Sequence, residues 1–530
     1  MDPAEVLMEE AKARQKPILE AAARGDSEIQ RFFSGTTAFV TGGTGFLGKL
    51  LIEKLIRSCD VKKIYVLSRP KKAMSSKERI SALLKDCVFD TLRETNPDFG
   101  NKIEPVEGDV AELQLGLSVQ SWVTIAEEVD VIFHMAATTR FDETLRKATL
   151  INVRGTREIL ALAKQCKNLR SLVYVSTAYC QATRDRIKSE VLEQFYTSPI
   201  HPDALIGMAE SMADERLVSI TKELIDRWPN TYTFTKAVAE ELVRSNVGNL
   251  PACVVRPPIV LGAYNEPSPG WIDPSCVYGA TGWFLSASIG FCHVMLRENI
   301  DFCIVPADFV INAVIASAVE TRNRHDNDEK QLKVYTISSG SKYNTDVGSK
   351  IIQSDRMKSL VSPKSVWYCW TVETSNKFIF WLLYWILHYI PAYIVDTLLF
   401  LLRLKLPEGI PSVVKVYTKI YKSTLVLSYF LMNEWTFKDD NTVDLYNRLS
   451  TTDKVLFNFN IKPITYEDFL TTYCLGLRKY IVKDDLKNTR KGVRMQFWFK
   501  IANFLYFVIF GYVLFKFFYS LYNTTKYIMI

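Results

Sequence analysis

Apolar positions follow two rhythms along this chain. Short apolar runs recur through the first 340 residues at Ala38-Phe-Val40, Lys63–Ser68, Ile103–Asp109, Asp130–Ala137 and Leu172–Tyr179, with a late one at Lys333–Ser338. Between them lie stretches with helical spacing: Leu47–Ser58, Glu158–Cys166, Lys236–Arg244 and Phe309–Val319. The 130–137 run is almost continuously apolar, as a strand covered on both faces is. Strands alternating with helices predict a doubly wound parallel α/β sheet. Beyond Ser341 the composition turns aromatic and helical. The predicted organisation is an N-terminal tail (1–30), a sheet domain (31–345), a mainly helical C-terminal domain (346–494) and a hydrophobic C-terminal helix (495–524). The tail has few apolar positions and is expected to be poorly ordered or docked on the surface.

The first strand runs straight into Gly42, Gly43, Thr44, Gly45, Phe46, Leu47 and Gly48, and then into a helix. This strand, glycine turn and helix make the dinucleotide cradle of a Rossmann sheet: the glycines allow a tight turn and close backbone approach, and the helix N-terminus offers free N–H groups to a pyrophosphate. About 20 residues further on, such a site tests the adenosine ribose. Ser68, Arg69, Pro70, Lys71 and Lys72 stand there instead of an acidic residue. A guanidinium favours a 2′-phosphate, so the expected cofactor is NADPH. Asp109 and Val110, ending the third run, fall at the adenine end, and Ala136 lies at the crevice where the fourth run ends. His134, among apolar neighbours, reads as a hydrogen-bonded core histidine, and Asp308 as a helix cap.

Tyr232 and Lys236 share one face at the start of a helix. A tyrosine near pKa ~10 must drop by about 3 units to exchange protons near neutrality, roughly 4 kcal/mol. One cation at ~4 Å supplies about that much at an effective dielectric of ~20. Tyr232 is thus the candidate general acid toward a carbonyl, Lys236 its electrostatic partner, and Ser176 or Thr177 the donor to the carbonyl oxygen, with Thr177 favoured. The Cys180–Trp228 segment, charged and partly helical, is expected to lie over the mouth of this site.

Charge and cysteines narrow the classes. A net charge of +7 is too small for a dedicated nucleic-acid binder, and no nucleic-acid motif is present. The ten cysteines show no metal-type spacing, so no metal site is expected and the thiols read as reduced. Phe497–Tyr522 reaches about 39 Å as a helix, enough for a ~30 Å hydrocarbon core. Lys487, Arg490, Lys491 and Arg494 flank it as a cytosolic basic collar. Phe378–Leu402 is as apolar, but His388, Pro391 and Asp396 interrupt it, which favours a packed or interfacial helix pair over a span.

The Thr41–Gly48 loop, Asn152, Ser176/Thr177 and Tyr232-x-x-x-Lys236 resemble the extended short-chain dehydrogenase/reductase superfamily. Val254-Val-Arg-Pro-Pro-Ile-Val-Leu-Gly262, Glu266-Pro-Ser-Pro-Gly-Trp-Ile-Asp273 and the helical C-terminal part with Tyr384–Asp396 resemble, within it, the alcohol-forming, male-sterility-type fatty acyl-CoA reductases. The resemblance implies that NADPH reduces a long-chain fatty acyl-CoA to a primary alcohol through a transient aldehyde, releasing CoA, with Tyr232, Lys236, Thr177 or Ser176, and Asn152 as catalytic residues. It also implies a membrane-anchored enzyme of the endoplasmic reticulum or peroxisome, its catalytic domain facing the cytosol and membrane lipid as a partner. Two alternatives stay open: a reductase that stops at the aldehyde, and a membrane dehydrogenase acting on a steroid or other lipid carbonyl.

Overall fold

Seven parallel strands form the central sheet in a computed structural model that describes residues 1–70, 74–338, 355–404 and 411–529. Lys71, Lys72 and the expected domain boundary at 345 lie outside the described residues. The strands are β1 (Thr37–Thr41), β2 (Lys63–Ser68), β3 (Ile103–Glu107), β4 (Val131–His134), β5 (Ser171–Val175), β6 (Ala252–Arg256) and β7 (Lys333–Thr336). Their order, β7-β6-β5-β4-β1-β2-β3, reverses direction between β1 and β4, which pair with Ala38 opposite Val131 and Thr41 opposite His134. Ligands of such sheets lie at that reversal, beyond the strands' C-terminal ends. All residues of β1, β4 and β5 are buried, in keeping with their unbroken apolar character.

Helices cover both faces. The glycine-loop helix Phe46–Cys59 and the long helix Ala307–Asp326 pack into one core, and the helix Thr231–Asn246 packs into the other. Residues 266–273 clamp the glycine-loop helix. Glu266 binds Lys54 and Arg57 at 2.6 and 2.7 Å, Asp273 lies 3.0 Å from Lys49, and the fully buried Trp271 stacks on Phe46. Asp308 sits in the first turn of its helix, and its carboxylate accepts from Tyr264 N, Asn265 N and Glu266 N at 2.8–3.2 Å. It therefore holds the clamp loop and does not cap its own helix, a long-range role invisible in local sequence.

The first thirty residues form the helices Pro3–Ala13, Lys16–Arg24 and Glu28–Phe33, docked on the body. Asp2 and Glu5 make a reciprocal cap at the start, and Phe33 is fully buried beside Phe133 of β4. Arg14 reaches Tyr264 O at 2.9 Å, and Asp2 accepts from Thr489 N at the foot of the C-terminal helix. Three weak helices thus gain their stability from tertiary contact.

In the C-terminal part, the apolar helix Lys377–Leu401 turns back through Val413–Leu431, making a hairpin. Its Asp396 is not a stray charge: it accepts from Val413 N and Val414 N, both at 3.0 Å, satisfying the open N–H groups of the returning helix. The final helix, Thr489–Met529, is long and apolar enough to cross a membrane, as is Lys377–Leu401 by length and composition alone.

Candidate active site

The crevice opens where the glycine loop meets the end of β4. Gly42 has φ +75°, and a Cβ there would lie 2.8 Å from Ala136 N; a Cβ on Gly48 would lie 2.2 Å from Gly42 O. Only glycine lets the loop fold this tightly against both its own helix and the neighbouring strand. Gly45 N bonds back to Gly42 O at 2.9 Å and caps the helix, leaving the N–H groups of Phe46, Leu47 and Gly48 without acceptors inside the helix. Those donors, and the space kept free of side chains, fit the pyrophosphate of a dinucleotide. The buried Ser68 Oγ, at the end of β2, has no hydrogen-bond partner and stands where the ribose of such a cofactor would lie.

At the adenosine end the structure places Arg69 3.3 Å from Asp109, whose other oxygen accepts from Ala111 N. A third charge there was not singled out from the sequence. Arg79, on the helix Ser76–Leu83, bonds to Arg69 O and reaches Thr44 Oγ1 at 3.4 Å. Burial first and the neighbouring Arg69 second push its pKa down, against the opposing charge of Asp109. Nothing local in the sequence separates Arg79 from Lys77 on the same helix; only the fold brings it to the glycine loop. Val110 lies beside Gly155, where a Cβ would come within 2.6 Å of Val110 O.

At the reacting end, the helix Thr231–Asn246 starts on Asn230, whose side chain accepts from Thr233 N. This sets Tyr232 in the first turn and Lys236 one turn deeper. Lys236 is buried, donates to Val175 O at 2.8 Å and lies 3.4 Å from the Tyr174 hydroxyl. Burial lowers its pKa to about 8. Tyr232 is half-buried at the crevice surface, and burial pushes its phenol above the ordinary range. The strongest opposing influence is the nearby Thr177 hydroxyl, not the Lys236 ammonium expected from the four-residue spacing. The two hydroxyls after β5 diverge. The Thr177 hydroxyl donates to Pro257 O and accepts from Tyr179 N, both at 3.3 Å, near the Tyr232 phenol, while Ser176 Oγ is buried on the Cys180 side with no well-formed hydrogen bond.

Asn152 does not touch the phenol. It lies in a π-helical turn, Leu150–Arg154, where its amide accepts from Thr138 N at 2.9 Å and donates to Thr138 O and to Thr235 Oγ1, at 3.3 and 3.0 Å. The segment after β4 is thereby tied to the helix carrying Tyr232. His134 extends the tie: Ala136 N donates to Thr41 Oγ1, Thr41 bonds His134 Nδ1 at 2.7 Å, and Nε2 bonds Thr156, which donates to Asn152 O. With both threonine protons committed, the histidine is the neutral Nε2–H tautomer, and burial holds its pKa down at about 3.

The two helices of the Cys180–Trp228 segment, Pro202–Ser211 and Asp214–Ile225, pack on the flank formed with Leu145–Thr149, fastened by Arg146 to Ala209 O and Met212 O. The aromatic wall beside Tyr232 comes from elsewhere. Phe141 stacks on Tyr232 at 5.9 Å, and Phe430, at the end of the hairpin's returning helix, packs on Phe141 at 5.3 Å. No cluster of metal-binding side chains occurs among the described residues, and the cysteines form no disulfide with one another.

Comparison with known proteins agrees with this geometry. The nucleotide-binding family model described as "Male sterility protein" matches residues 40–314, and a second, "Sterile", with the same description, matches 387–484. Fatty acyl-CoA reductase wat of Drosophila melanogaster is 33% identical over 499 residues, 92% of each chain. Fatty acyl-CoA reductase 1 of Rattus norvegicus is 35% identical over 463 residues, 86% of this chain and 87% of its own. In fold, the reductase domain of a nonribosomal peptide synthetase from Mycobacterium tuberculosis superposes with a TM-score of 0.55 at 17% identity, covering 90% of this chain and 98% of that one. Sheet, cradle and crevice thus define an oxidoreductase that uses a nicotinamide dinucleotide. Within that class, the chain belongs to the fatty acyl-CoA reductase family of male-sterility-type proteins.

Proposed function

We propose that this protein reduces long-chain fatty acyl-CoA to the primary alcohol with NADPH, through an aldehyde and with release of CoA, while anchored by its C-terminal helix in the membrane of the endoplasmic reticulum or peroxisome, catalytic domain in the cytosol. The observation that carries the reading is the convergence of Tyr232, Thr177 and Lys236 at the end of β5, beside the glycine cradle. The cofactor, when bound, supplies the hydride. Tyr232 gives its proton to the carbonyl oxygen of the substrate, and Thr177, whose hydroxyl donates to Pro257 O at 3.3 Å in the free enzyme, turns to hold that oxygen in line. Lys236 supplies a buried positive charge at the end of β5, its ammonium on Val175 O, placed to hold the nicotinamide ribose. Asn152 acts as a tie, its amide holding the backbone of residue 138 and the Thr235 hydroxyl so that the two walls of the crevice keep their spacing.

The preference for NADPH is supported by Arg69 and Arg79, two guanidiniums at the ribose end with one carboxylate, Asp109, between them and neutrality. Substrate class rests on the relatives named as fatty acyl-CoA reductases. The apolar final helix and its exposed basic residues Lys487, Arg490, Lys491 and Arg494 support the anchor and its cytosolic orientation. The test is stoichiometry: purified protein given a long-chain acyl-CoA should consume two NADPH per alcohol and release one free thiol. One NADPH per accumulated aldehyde would replace this reading with the reductase that stops halfway, and no turnover of acyl-CoA would end it.

A further inference from the structure

The hairpin Lys377–Leu401/Val413–Leu431 raises a question that its composition leaves open. Its first helix is apolar enough to span a bilayer, yet its middle is pinned to the reductase domain. His388, eleven residues past Lys377, accepts from His293 N at 3.0 Å; Tyr384 donates to Tyr417 O at 2.7 Å, and Tyr417 in turn donates to Phe291 O at 2.9 Å. Asp396 is bonded to the start of the returning helix. A helix fixed to the body at its midpoint cannot cross to the far side. Its opposite face is nonetheless bare, with Phe378 67%, Trp381 45%, Ile394 52%, Leu398 50% and Phe400 81% exposed, a larger apolar patch than water-exposed surfaces carry.

The C-terminal helix shows what covers that face. It does not leave the body at Phe497. Gln496 accepts from Cys369 N at 2.8 Å, Asn503 accepts from Trp367 Nε1 at 3.1 Å, and Phe507 packs edge-on against Trp370. Tyr506 donates to Ile386 O at 2.6 Å. That carbonyl is free for a simple reason. The hairpin helix widens to a π turn at Trp385–Tyr389, so Ile390 N bonds Trp385 O, and the next residue, Pro391, has no N–H to give. A proline that breaks the hairpin's own ladder thus creates the acceptor that fastens it to the C-terminal helix.

Length then decides the depth. Beyond Phe507, fifteen residues remain before the polar Asn523-Thr-Thr-Lys526. They reach about 22 Å as a helix, short of a ~30 Å hydrocarbon core. To cross, the helix must immerse part of its docked half, and the hairpin bonded to that half goes with it. Tyr506 lies nine residues, about 14 Å, past Phe497, close to the depth of one leaflet. Charge agrees: from Lys377 to Leu431 the sequence carries Lys377, Arg403, Lys405, Lys415, Lys419 and Lys422 against Glu408 and the already satisfied Asp396. Six cations with two acids suit anionic headgroups.

We propose that the hairpin is embedded in the catalytic-side leaflet of a lipid bilayer alongside the C-terminal helix, without crossing it. The proposal rests on the anchor reading above. In this arrangement the returning helix runs from the bilayer to Phe430, one aromatic contact from the Phe141 ring stacked on Tyr232.

The test uses the full chain reconstituted into phosphatidylcholine–phosphatidylserine vesicles. Ile394→Cys, Leu398→Cys, Val513→Cys and Val218→Cys variants each carry a thiol-linked, environment-sensitive fluorophore, with the labelled parent chain as blank. Labels at 394 and 398 should shift to the blue and lose intensity to acyl-brominated lipid as the label at 513 does, while the label at 218 responds only to aqueous iodide. Iodide quenching at 394 and 398 with lipid quenching at 513 would overturn the embedded hairpin and leave the anchor standing. Iodide quenching at all four positions would overturn both.

Discussion

The two ends of the cofactor crevice are built on opposite principles. At the reacting end, Lys236 is 2% exposed and Tyr232 is shielded by Phe141, so each polar group is held against its preference for water. At the adenosine end, Arg69 is about half exposed, paired at 3.3 Å with a partly exposed carboxylate. Charges stripped of water interact strongly and their removal is felt in the reaction; charges in water interact weakly and adjust affinity. On the proposed assignment, the difference separates chemistry from cofactor choice along one groove.

Variants can break or sharpen this contrast. Tyr232→Phe should lower kcat by about 10²–10⁴-fold with KM little changed, since a proton donor is lost and the ring remains. A steady-state assay showing near-normal kcat would move the chemistry away from the buried end. Thr177→Val should cost about 10²-fold in kcat, the scale for one donor to a developing oxyanion. Ser176→Ala, which removes a hydroxyl turned toward Cys180, should leave it near normal; the reverse ranking would exchange their roles. In the free enzyme the Lys236 ammonium persists below its lowered pKa of about 8 and is lost above it. kcat/KM for NADPH should therefore fall as pH rises through about 8, by up to tenfold per unit if one proton controls it, and a profile flat to pH 10 would show that the charge is not needed. At the exposed end the effects are smallest: Arg69→Ala and Arg79→Ala should each weaken NADPH binding about tenfold, near 1.4 kcal/mol, with NADH binding little altered. Equal losses for both cofactors in a fluorescence titration would remove the 2′-phosphate role.

Much of the sheet was legible because its signals are local. An apolar run and three spaced glycines each carry their meaning within a dozen residues, and all seven strands are parallel as the alternation predicts. What escaped was set by distance in the chain. Arg79 reaches the glycine loop at Thr44 only in the folded chain, and Asp308 serves a loop more than 40 residues before it. The N-terminal helices are short and become stable against residues that lie hundreds of positions away. Periodicity also cannot place an all-apolar helix. Ala307–Asp326 is buried nearly throughout, whereas Lys377–Leu401 turns aromatic rings outward, and only packing tells the core helix from the surface one. Ser176 and Thr177, adjacent in sequence, separate only when the turn after β5 aims them.

The clamp on the glycine-loop helix has a consequence for biosynthesis. Lys54, buried within that helix, donates to Glu266 at 2.6 Å and also to Leu456 O at 2.7 Å, a residue 402 positions further along the chain. At translation rates of 5–20 residues per second, the second partner is made roughly 20–80 s after the lysine. The cofactor half of a nascent chain must therefore wait for the end of the C-terminal domain before its buried cation is satisfied. The long apolar helix begins at Thr489, little more than thirty residues later. Completion of the nucleotide-binding core and emergence of that apolar helix thus fall within seconds of each other during synthesis.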